Sequence, residues 1–445
     1  MQNKNPYKKQ LLSKIKNKTA VLGVIGLGYV GLPLAVEKAK AGYKTIGFDM
    51  QEKKVRWVNE GRNYIGDIID SDLKEVADNG LLQATTDYSF IEGIDTVCVC
   101  VPTPLDIYQQ PDLSYVKTST ENIAKYLHPG MLIVLESTTY PGTTEEIVKP
   151  ILEKISGLKC GQDFFLAFSP ERIDPGNPWY KVRNTPKVVG GVTPDCTEVA
   201  SYLYRSIIQG KVHPVSSSKV AEMEKIYENV FRYTNIALAN EMSILCHKMG
   251  IDIWEVIEAA KTKPFGFQAF YPGPGIGGHC IPIDPFYLTW KAREYDFHPR
   301  FIELSGEINE YMPYYVVERV GKALNSIGKA ISRSKILVIG IAYKPNVNDL
   351  RESAGVKIIT LLQGEGAYVA YHDPLIPEIP SIRRYELKMK SVQLSEEEVK
   401  KYDLVLIATN HSNIDYELIL QNAKLIVDTR NVYKSSCNSP KIWKA

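Results

Sequence analysis

The stretch "TAVLGVIGLGYVGLPLAVEKAKAGYKTIGFDM", residues 19–50, constrains the fold of this chain more than any other segment. An apolar run at residues 20–25 ends at a glycine turn, a helical pattern follows, and a second apolar run at residues 45–48 ends at Asp49. This order is typical of a βαβ unit, in which a helix connects two parallel strands. We therefore predict an α/β fold built on a doubly wound parallel sheet.

The glycine turn "GLGYVG" contains Gly26, Gly28 and Gly31 in the spacing GxGxxG. The first glycine permits the turn, the second lets a pyrophosphate approach backbone N–H groups, and the third allows close packing of helix and strand. Asp49 follows about 20 residues later, where a carboxylate binds the ribose 2′-hydroxyl and repels a 2′-phosphate. NAD is thus favoured over NADP, although nearby Lys54 weakens this exclusion slightly. A structural turn without a dinucleotide is the alternative.

The last third of the chain repeats this order. "SKILVIGIAYKP", "AYVAYHDP", "YDLVLIATNHSNID" and "AKLIVDTRN" predict further parallel strands and a second Rossmann-like domain. In this copy Ala342 takes the place of the second glycine, so charged side chains would have to hold a phosphate. Lys344 and Arg351 are candidates for that role, with ordinary solvated surface charges as the alternative.

The middle of the chain has a helical pattern. Residues 216–250 contain no proline, begin in a serine cluster and end at glycine. A helix of this length spans about 50 Å, so we expect it to connect two domains and to carry a dimer interface. The predicted organisation is a leading basic segment at 1–19, an NAD-binding domain at 20–214, a central helical dimerisation domain at 215–325 and a second Rossmann-like domain at 326–445.

Composition excludes several classes of function. With 53 basic and 51 acidic side chains in 445 residues, the chain is unlike nucleic-acid and membrane-surface proteins, and a small-molecule partner fits better. Seven cysteines without zinc-ligand spacing predict neither a metal site nor a disulfide framework, and they favour a reducing compartment. Cys98 and Cys100 are expected to share one face of a buried strand as inert packing.

The leading segment has no apolar core of the kind found in a secretory signal, and no run of about 18 apolar residues occurs in the sequence. We therefore expect a cytoplasmic protein whose first residues form a solvated helix.

The loop "GPGIGGHCIPIDP", residues 273–285, places Cys280 among four glycines and three prolines. A tight turn carrying a small, half-buried cysteine is one interpretation. Glycines also remove the side chains that would bury the sulfur, which suits a nucleophile. Together with a dinucleotide fold, this favours oxidation of an alcohol to an acid through a thiohemiacetal and a thioester, so that one cysteine supports two oxidations.

Seven motifs occur in a specific order: "GLGYVG", "VPTP", "ESTTYPGTT", "SPER", "EKIYENV", "GIGGHCIPIDP" and "IAYKPNVNDLRES". On these motifs the chain resembles, from about residue 20 to 435, the nucleotide-sugar 6-dehydrogenases of the UDP-glucose/GDP-mannose dehydrogenase family. The cysteine region and "SPERIDPGN" look most like the UDP-N-acetylglucosamine 6-dehydrogenases that make the uronic acid for bacterial surface polysaccharide. The resemblance implies NAD as cofactor, a UDP-sugar bound by the last domain, and a homodimer or higher homo-oligomer.

The resemblance also implies residue roles. The catalytic set would be the nucleophile Cys280, Lys225 and Asn229 on the oxygen at C6, Asp284 organising the lysine and the water, Glu171 as general base, and Thr138 beside the nicotinamide. The cofactor would be bound by Gly26, Gly28, Tyr29, Val30, Gly31, Asp49, Lys54, Thr103, Thr138 and Arg351. The substrate would contact Glu171, Arg172, Lys225, Asn229, Gly277, Gly278, Tyr343 and Lys344. Without the resemblance, Lys225 is an ordinary helix lysine and Asp284 a turn-capping carboxylate.

Two departures bear on the substrate. Ile283 stands where UDP-glucose enzymes often have lysine, and Pro175 stands where their "PEFLxEG" motif has its second glutamate. Both fit a hexose other than glucose, while UDP-N-acetylmannosamine and UDP-glucose stay open as alternatives. Two other classes of function are alternatives. A regulator that only binds nucleotide sugars would not need the cysteine, lysine and aspartate. A cysteine hydrolase would not explain the glycine turn and Asp49.

Overall fold

The computed structural model describes residues 5–445 apart from residues 67, 107, 109, 175, 178, 279–280, 381–386 and 435–438. Packing divides the chain into two units. The first consists of Met1–Glu228 and Phe286–Phe297, and the second of Asn229–Pro285 and His298–Ala445.

The first unit is built on one sheet. Its strands are β1 (Leu22–Ile25), β2 (Thr45–Phe48), β3 (Leu82–Thr85), β4 (Thr96–Val99), β5 (Leu132–Leu135), β6 (Phe165–Phe168), β7 (Lys187–Gly191) and β8 (Val212–Val215). Among the described residues they pair in the order β3-β2-β1-β4-β5-β6-β7-β8, and all neighbours are parallel except β6 and β7.

Helices connect these strands. They are α1 (Pro6–Lys16), α2 (Gly31–Lys40), α3 (Glu52–Asn59), α4 (Asp70–Asp78), α5 (Ser114–Lys125), α6 (Lys149–Ser156) and α7 (Pro194–Arg205), with a 3-10 helix at Tyr88–Gly93 and a π-helix at Thr144–Val148. The long helix α8 (Ser218–Met249) starts in the first unit and ends in the second, as the sequence pattern predicted for one continuous helix.

Helix α9 (Ile253–Lys261) belongs to the second unit. Helix α10 (Asp284–Ala292) begins in the second unit and continues in the first, to which a 3-10 helix at Arg293–Tyr295 also belongs. The second unit resumes with α11 (Arg300–Asn325) and contains a smaller parallel sheet. Its elements are β9 (Lys335–Ile339), α12 (Ala354–Gly364), β10 (Tyr368–His372), α13 (Glu396–Lys400), β11 (Leu404–Ile407), α14 (Tyr416–Asn422), β12 (Ile426–Asp428) and β13 (Ile442–Lys444). The described strands pair in the order β10-β9-β11-β12-β13. The prediction of two parallel-sheet Rossmann-like domains is confirmed.

Strands buried on both faces explain the apolar runs. Every residue of β1, β2, β4, β5 and β6 is buried, as expected for parallel strands covered by helices on each side. Cys98 and Cys100 belong to the same buried cluster, and burial raises the pKa of both thiols. The prediction that they pack inside the core is confirmed, and their inertness stays a prediction.

In both sheets an aspartate carboxylate accepts a backbone N–H group of the turn that follows the first strand. Asp49 ends β2 and its carboxylate accepts the N–H of Leu27 at 3.0 Å. Asp373 follows β10 and accepts the N–H of Ile341 at 2.7 Å, one residue after Gly340 just as Leu27 follows Gly26. The repeat predicted from the sequence therefore extends to individual hydrogen bonds.

The prediction of a solvated leading helix is wrong in one respect. Helix α1 forms, with Asn5 accepting the N–H of Tyr7, but Leu11 and Ile15 are 2% and 0% exposed. These residues are four apart, so they lie on one face of the helix and pack into the core of the first unit. Lys8 adds an ion pair with Asp195 at 2.7 Å. No helix in the described part of the chain is long and apolar enough to cross a lipid bilayer.

We expect Ile15→Ala to lower the free energy of unfolding by about 2–5 kcal/mol, because a fully buried side chain is replaced by a cavity. Differential scanning calorimetry should show a lower Tm for this variant. Ser13→Ala, at an exposed position of the same helix, is the control and should leave Tm unchanged. Equal Tm values for the two variants would mean that α1 does not contribute to the core.

Candidate active site

The glycines of the first turn differ in what surrounds them. A Cβ atom at Gly26, whose φ is 90°, would lie 2.6 Å from the carbonyl oxygen of Cys100, and one at Gly31 would lie 1.8 Å from the carbonyl oxygen of Gly26. A Cβ atom at Gly28 would meet nothing within 4 Å. Packing within the chain therefore explains Gly26 and Gly31, whereas Gly28 leaves open space at the start of α2, where a pyrophosphate fits.

Asp49 is fixed at the end of β2 by its neighbours. Besides Leu27, its carboxylate accepts the N–H of Gln51 at 2.9 Å and lies 3.3 Å from Nζ of Lys54. Lys54 is thus paired with the carboxylate expected to bind the ribose. Of the other two predicted residues of the turn, Tyr29 is 48% exposed and Val30 is half-buried.

Two predicted cofactor residues come together after β4 and β5. The hydroxyl of Thr103 donates to the carbonyl oxygen of Thr138 at 2.8 Å. The carbonyl oxygen of Thr103 accepts a hydrogen bond from the hydroxyl of Tyr287. The "VPTP" and "ESTT" loops are therefore joined to each other at the carboxyl end of neighbouring parallel strands.

Glu222, which the sequence analysis did not single out, fixes the loop that follows Thr138. Its carboxylate accepts the N–H of Gly142 at 2.6 Å, and it also accepts both the N–H and the hydroxyl of Thr144, at 2.8 and 2.7 Å. Burial raises the pKa of Glu222 to about 7. A glutamate within a helix gives no sequence signal for such contacts, because its partners are about 80 residues away.

The "SPER" loop follows β6. Glu171 accepts the N–H groups of Arg172 and Ile173 at 2.7 and 2.8 Å. The guanidinium of Arg172 is engaged by the carboxylate of Glu228 and by the carbonyl oxygen of Pro186, the latter at 3.1 Å. A substrate contact of Arg172 stays a prediction, and it would require this ion pair to open.

Lys225 lies on α8 and is 8% exposed. In the described part of the chain its ammonium group has no hydrogen-bond or ion-pair partner, although Glu224 and Glu228 supply negative charge nearby. A largely buried ammonium without a direct partner is well suited to an oxygen atom of a ligand.

In the second unit, Cys280 lies outside the described residues, and so does His279. The preceding glycines are described. Gly278 donates its N–H to the carbonyl oxygen of Arg351 at 2.8 Å, and a Cβ atom at Gly277 would lie 2.7 Å from Cβ of Tyr343. The loop leading to the cysteine therefore packs directly on the "IAYKPNVNDLRE" segment. No residue larger than glycine fits at Gly277 without moving one of these segments.

Two predicted catalytic residues meet in the second unit. Nδ2 of Asn229 donates to the carboxylate of Asp284 at 2.5 Å, and both residues are at least 96% buried. Among the predicted phosphate-binding residues, Lys344 is half-buried, and Arg351 forms a bidentate ion pair with Asp349.

Asn240 is a second residue that the sequence analysis missed. It is fully buried, accepts the N–H of Gly273 at 2.9 Å and donates to Asn309 at 2.9 Å. It thus fixes the start of the cysteine loop on helix α8. An amide within the apolar stretch "IALANEM" is a weak signal for this role, because a buried polar side chain needs a partner.

Comparison with known proteins identifies the family. Three domain models of the UDP-glucose/GDP-mannose dehydrogenase family match this chain: the NAD binding domain at residues 20–208, the central domain at 219–311 and the UDP binding domain at 337–435. The chain belongs to this family. It is therefore an NAD-dependent dehydrogenase of the nucleotide-sugar 6-dehydrogenase type, and the glycine turn is in its NAD binding domain.

The relatives differ in substrate. The chain is 38% identical over 391 residues to a UDP-N-acetyl-D-glucosamine 6-dehydrogenase of Pseudomonas aeruginosa, covering 88% of this chain and 90% of the relative. It is 35% identical over 419 residues to a UDP-N-acetyl-D-mannosamine dehydrogenase of Pyrococcus horikoshii, covering 93% and 96%. The solved structure of a UDP-D-ManNAc dehydrogenase from Pyrococcus horikoshii matches with a TM-score of 0.87 and 33% identity, covering 95% and 98%.

The glycine geometry predicts distinct outcomes for two substitutions. We expect Gly28→Ala to keep the Tm of the parent protein and to raise the KM for NAD by about tenfold, because the added methyl group points only into the space left for a ligand. Gly31→Ala should instead lower Tm, because its methyl group would overlap the carbonyl oxygen of Gly26. Calorimetry and NADH absorbance measure the two effects. An unchanged KM in Gly28→Ala would contradict the assignment of this turn to the pyrophosphate.

Proposed function

We propose that this dehydrogenase oxidises the C6 hydroxymethyl group of UDP-N-acetyl-D-glucosamine to a carboxylate. The first oxidation removes a hydride from C6 and a proton from its oxygen, which passes through water to solvent, giving the aldehyde. The thiolate of Cys280 then adds to the carbonyl carbon, and loss of a second hydride from the thiohemiacetal gives a thioester. Water adds to the thioester and the sulfur leaves as a thiolate. NAD would supply one hydride acceptor for each oxidation, the second after NADH has been exchanged for NAD, so each sugar yields two NADH.

The observation that carries the proposal is the buried ammonium of Lys225, which has no direct partner in the described part of the chain. Oxygen on C6 gains negative charge while a proton is lost, and a preorganised ammonium stabilises that charge. Asn229 is proposed to donate to the same oxygen, with its amide oriented by Asp284. Thr138 and Glu171 complete the proposed catalytic set, the latter as the base for thioester hydrolysis.

The cofactor and substrate contacts are proposed in the same way. NAD would lie along Gly28, Tyr29 and Val30, with Asp49 on its ribose. The UDP group would bind at Tyr343 and Lys344 beside the glycines of the cysteine loop. The product would be a precursor of a surface polysaccharide, and the 38% identity to the Pseudomonas aeruginosa relative supports N-acetylglucosamine as the sugar.

UDP-N-acetylmannosamine is the second candidate substrate. The Pyrococcus horikoshii relative supports it, because identity to that protein is only slightly lower and its structure covers almost the whole chain. The two sugars differ in configuration at C2, so the pocket around the acetamido group decides between them.

An assay with a panel of UDP-sugars tests the proposal. With excess NAD we expect UDP-N-acetylglucosamine to give two NADH per sugar and the highest kcat/KM, ahead of UDP-N-acetylmannosamine and UDP-glucose. A higher kcat/KM for another sugar would correct the substrate. One NADH per sugar would contradict the four-electron reaction.

We expect Cys280→Ser to lower the rate of acid formation by about 10³-fold or more, because the aldehyde then has no thiol with which to become a second hydride donor. Mass spectrometry of the sugar product measures the acid. The control is Cys246→Ser, which also removes one cysteine but from the half-buried surface of α8. Full acid formation by Cys280→Ser would exclude the thioester route.

We also propose that the protein is a homodimer through helix α8. An exposed apolar stripe follows this helix at intervals of three, four or seven residues: Val220, Met223, Tyr227, Phe231, Leu238, Leu245 and Met249. An apolar stripe on one side of a helix of about 48 Å is suited to an equivalent helix from a second copy.

Leu238→Glu combined with Leu245→Glu should convert the dimer to a monomer, because both carboxylates would be buried without partners. Light scattering after size-exclusion chromatography measures the mass. Arg232→Glu places a carboxylate on another face of the same helix and should keep the dimer. A monomeric parent protein would contradict this interface.

A further inference from the structure

A group of buried polar side chains lies beneath the loops that carry Thr138 and Glu171. Its centre is Lys187 on β7, which is 5% exposed. Nζ of Lys187 lies 2.7 Å from Oε2 of Glu136, the residue directly after β5, and donates to the carbonyl oxygen of Pro170 at 3.2 Å. One ammonium group therefore holds the ends of two neighbouring parallel strands together.

Glu171 is held by two different interactions. Its Oε1 atom accepts two backbone N–H groups of its own loop, as described above. Its Oε2 atom lies 3.6 Å from Nζ of Lys187, is buried, and has no hydrogen-bond partner among the described residues. The backbone thus fixes one carboxylate oxygen, and the other is stabilised mainly by the charge of Lys187.

Glu136, Lys187 and Glu171, which we call the buried trio, carry two negative charges and one positive charge. Burial would lower the pKa of Lys187, but the charges of Glu136 and Glu171 outweigh it and raise that pKa, so the ammonium stays charged. Lys187 lies between the two carboxylates, 2.7 Å from Glu136 and 3.6 Å from Glu171. One additional proton makes the trio neutral.

We propose that Lys187 and Glu136 are positioning residues that hold Glu171 in place as the base in thioester hydrolysis. This inference rests on the function proposed above. When water attacks the thioester carbonyl, its proton passes to the carboxylate of Glu171, the C–S bond breaks, and the sulfur leaves as a thiolate. Glu171 then returns the proton to solvent. Lys187 places a positive charge beside Oε2 of Glu171, and Glu136 balances part of that charge.

Other titratable groups surround the trio: Arg172 on the "SPER" loop, Glu224 and Glu228 on α8, Tyr204 on α7, Cys98 and Cys100 at the end of β4, and Lys38 on α2. The hydroxyl of Tyr204 donates to Oε1 of Glu136. Burial raises the pKa of Tyr204 and of both cysteines, which therefore stay neutral.

Two of the surrounding carboxylates need a control. Burial and the charge of Glu228 raise the pKa of Glu224 to about 7, within the range of the assay. Glu228 forms an ion pair with Arg172. This ion pair contributes to lowering the pKa of Glu228, although burial acts in the opposite direction.

The pH dependence of hydrolysis tests the proposal. The rate of thioester hydrolysis should fall as the pH is lowered, and we call this fall the acid limb of the pH profile. In Lys187→Met, which removes the positive charge, the acid limb should move to higher pH by about one pH unit or more. The Cys280 thioester should then accumulate at neutral pH. In Glu136→Gln the acid limb should move to lower pH. Lys187→Arg should keep the parent profile, because it keeps the charge. Stopped-flow NADH absorbance and intact-protein mass spectrometry measure the rate and the thioester.

Controls separate this role from folding. Lys211→Met makes the same substitution at an exposed lysine next to β8 and should change neither profile nor Tm. Glu224→Gln should leave the acid limb in place. If Lys187→Met fails to fold, the double variant Glu136→Gln, Lys187→Met removes both charges. Its acid limb should lie at higher pH than that of the parent protein, because the direct ion pair of Lys187 with Glu171 is the larger of the two lost effects.

The two proposals can fail separately. Shifts of Lys187→Met and Glu136→Gln in the same direction, or no shift in folded variants, would overturn the positioning role while the parent protein still forms two NADH per sugar. A double variant whose acid limb does not move to higher pH than that of the parent protein would overturn it too. A parent protein that makes no acid from any UDP-sugar would overturn the proposed function, and this inference with it.

Discussion

Helix α2 and strand β1 approach so closely that a methyl group at Gly31 would overlap the carbonyl oxygen of Gly26. This contact sets the helix start over the carboxyl end of the parallel sheet, where Asp49, Thr103, Thr138 and Glu171 follow β2, β4, β5 and β6. Carboxyl ends of parallel strands share one edge of a sheet, so the proposed cofactor residues of the first unit come from one edge. The site therefore depends on a packing distance that only glycine permits.

The second sheet shows how the same design can serve another ligand. Gly340 retains the close approach, with a Cβ atom there only 2.1 Å from the carbonyl oxygen of Thr409. Asp373, however, is fully buried and lies 3.1 Å from His411, whose other ring nitrogen accepts the N–H of Asn346. Ala342 is 1% exposed. The carboxylate that binds a ribose in the dinucleotide design is here part of the loop's own structure, in agreement with a UDP binding domain at residues 337–435.

Much of the fold followed from sequence pattern because the physical causes are local. Continuous apolar runs predicted buried parallel strands, and uninterrupted helical periodicity predicted α8. The same pattern reasoning failed at α1, where a basic composition concealed Leu11 and Ile15 on one helical face. Charge counts describe a segment as a whole, whereas burial depends on two positions four residues apart. The motif resemblance, rather than periodicity, was needed to select Lys225 and Asn229 from ordinary helix residues.

The sequence alone determined the family, the NAD turn and the repeat of two nucleotide-binding sheets, because glycine spacing and strand patterns act over a few residues. The glycine spacing also assigned Gly28 to the pyrophosphate, and the structure agrees, because a Cβ atom there would meet nothing within 4 Å. Only the tertiary structure decided which buried polar side chains pair. Examples are the contacts of Glu136 with Lys187 and of Asn240 with Gly273, which join residues 51 and 33 positions apart. Buried polar groups must find partners, but which partner is near depends on how the strands and helices pack.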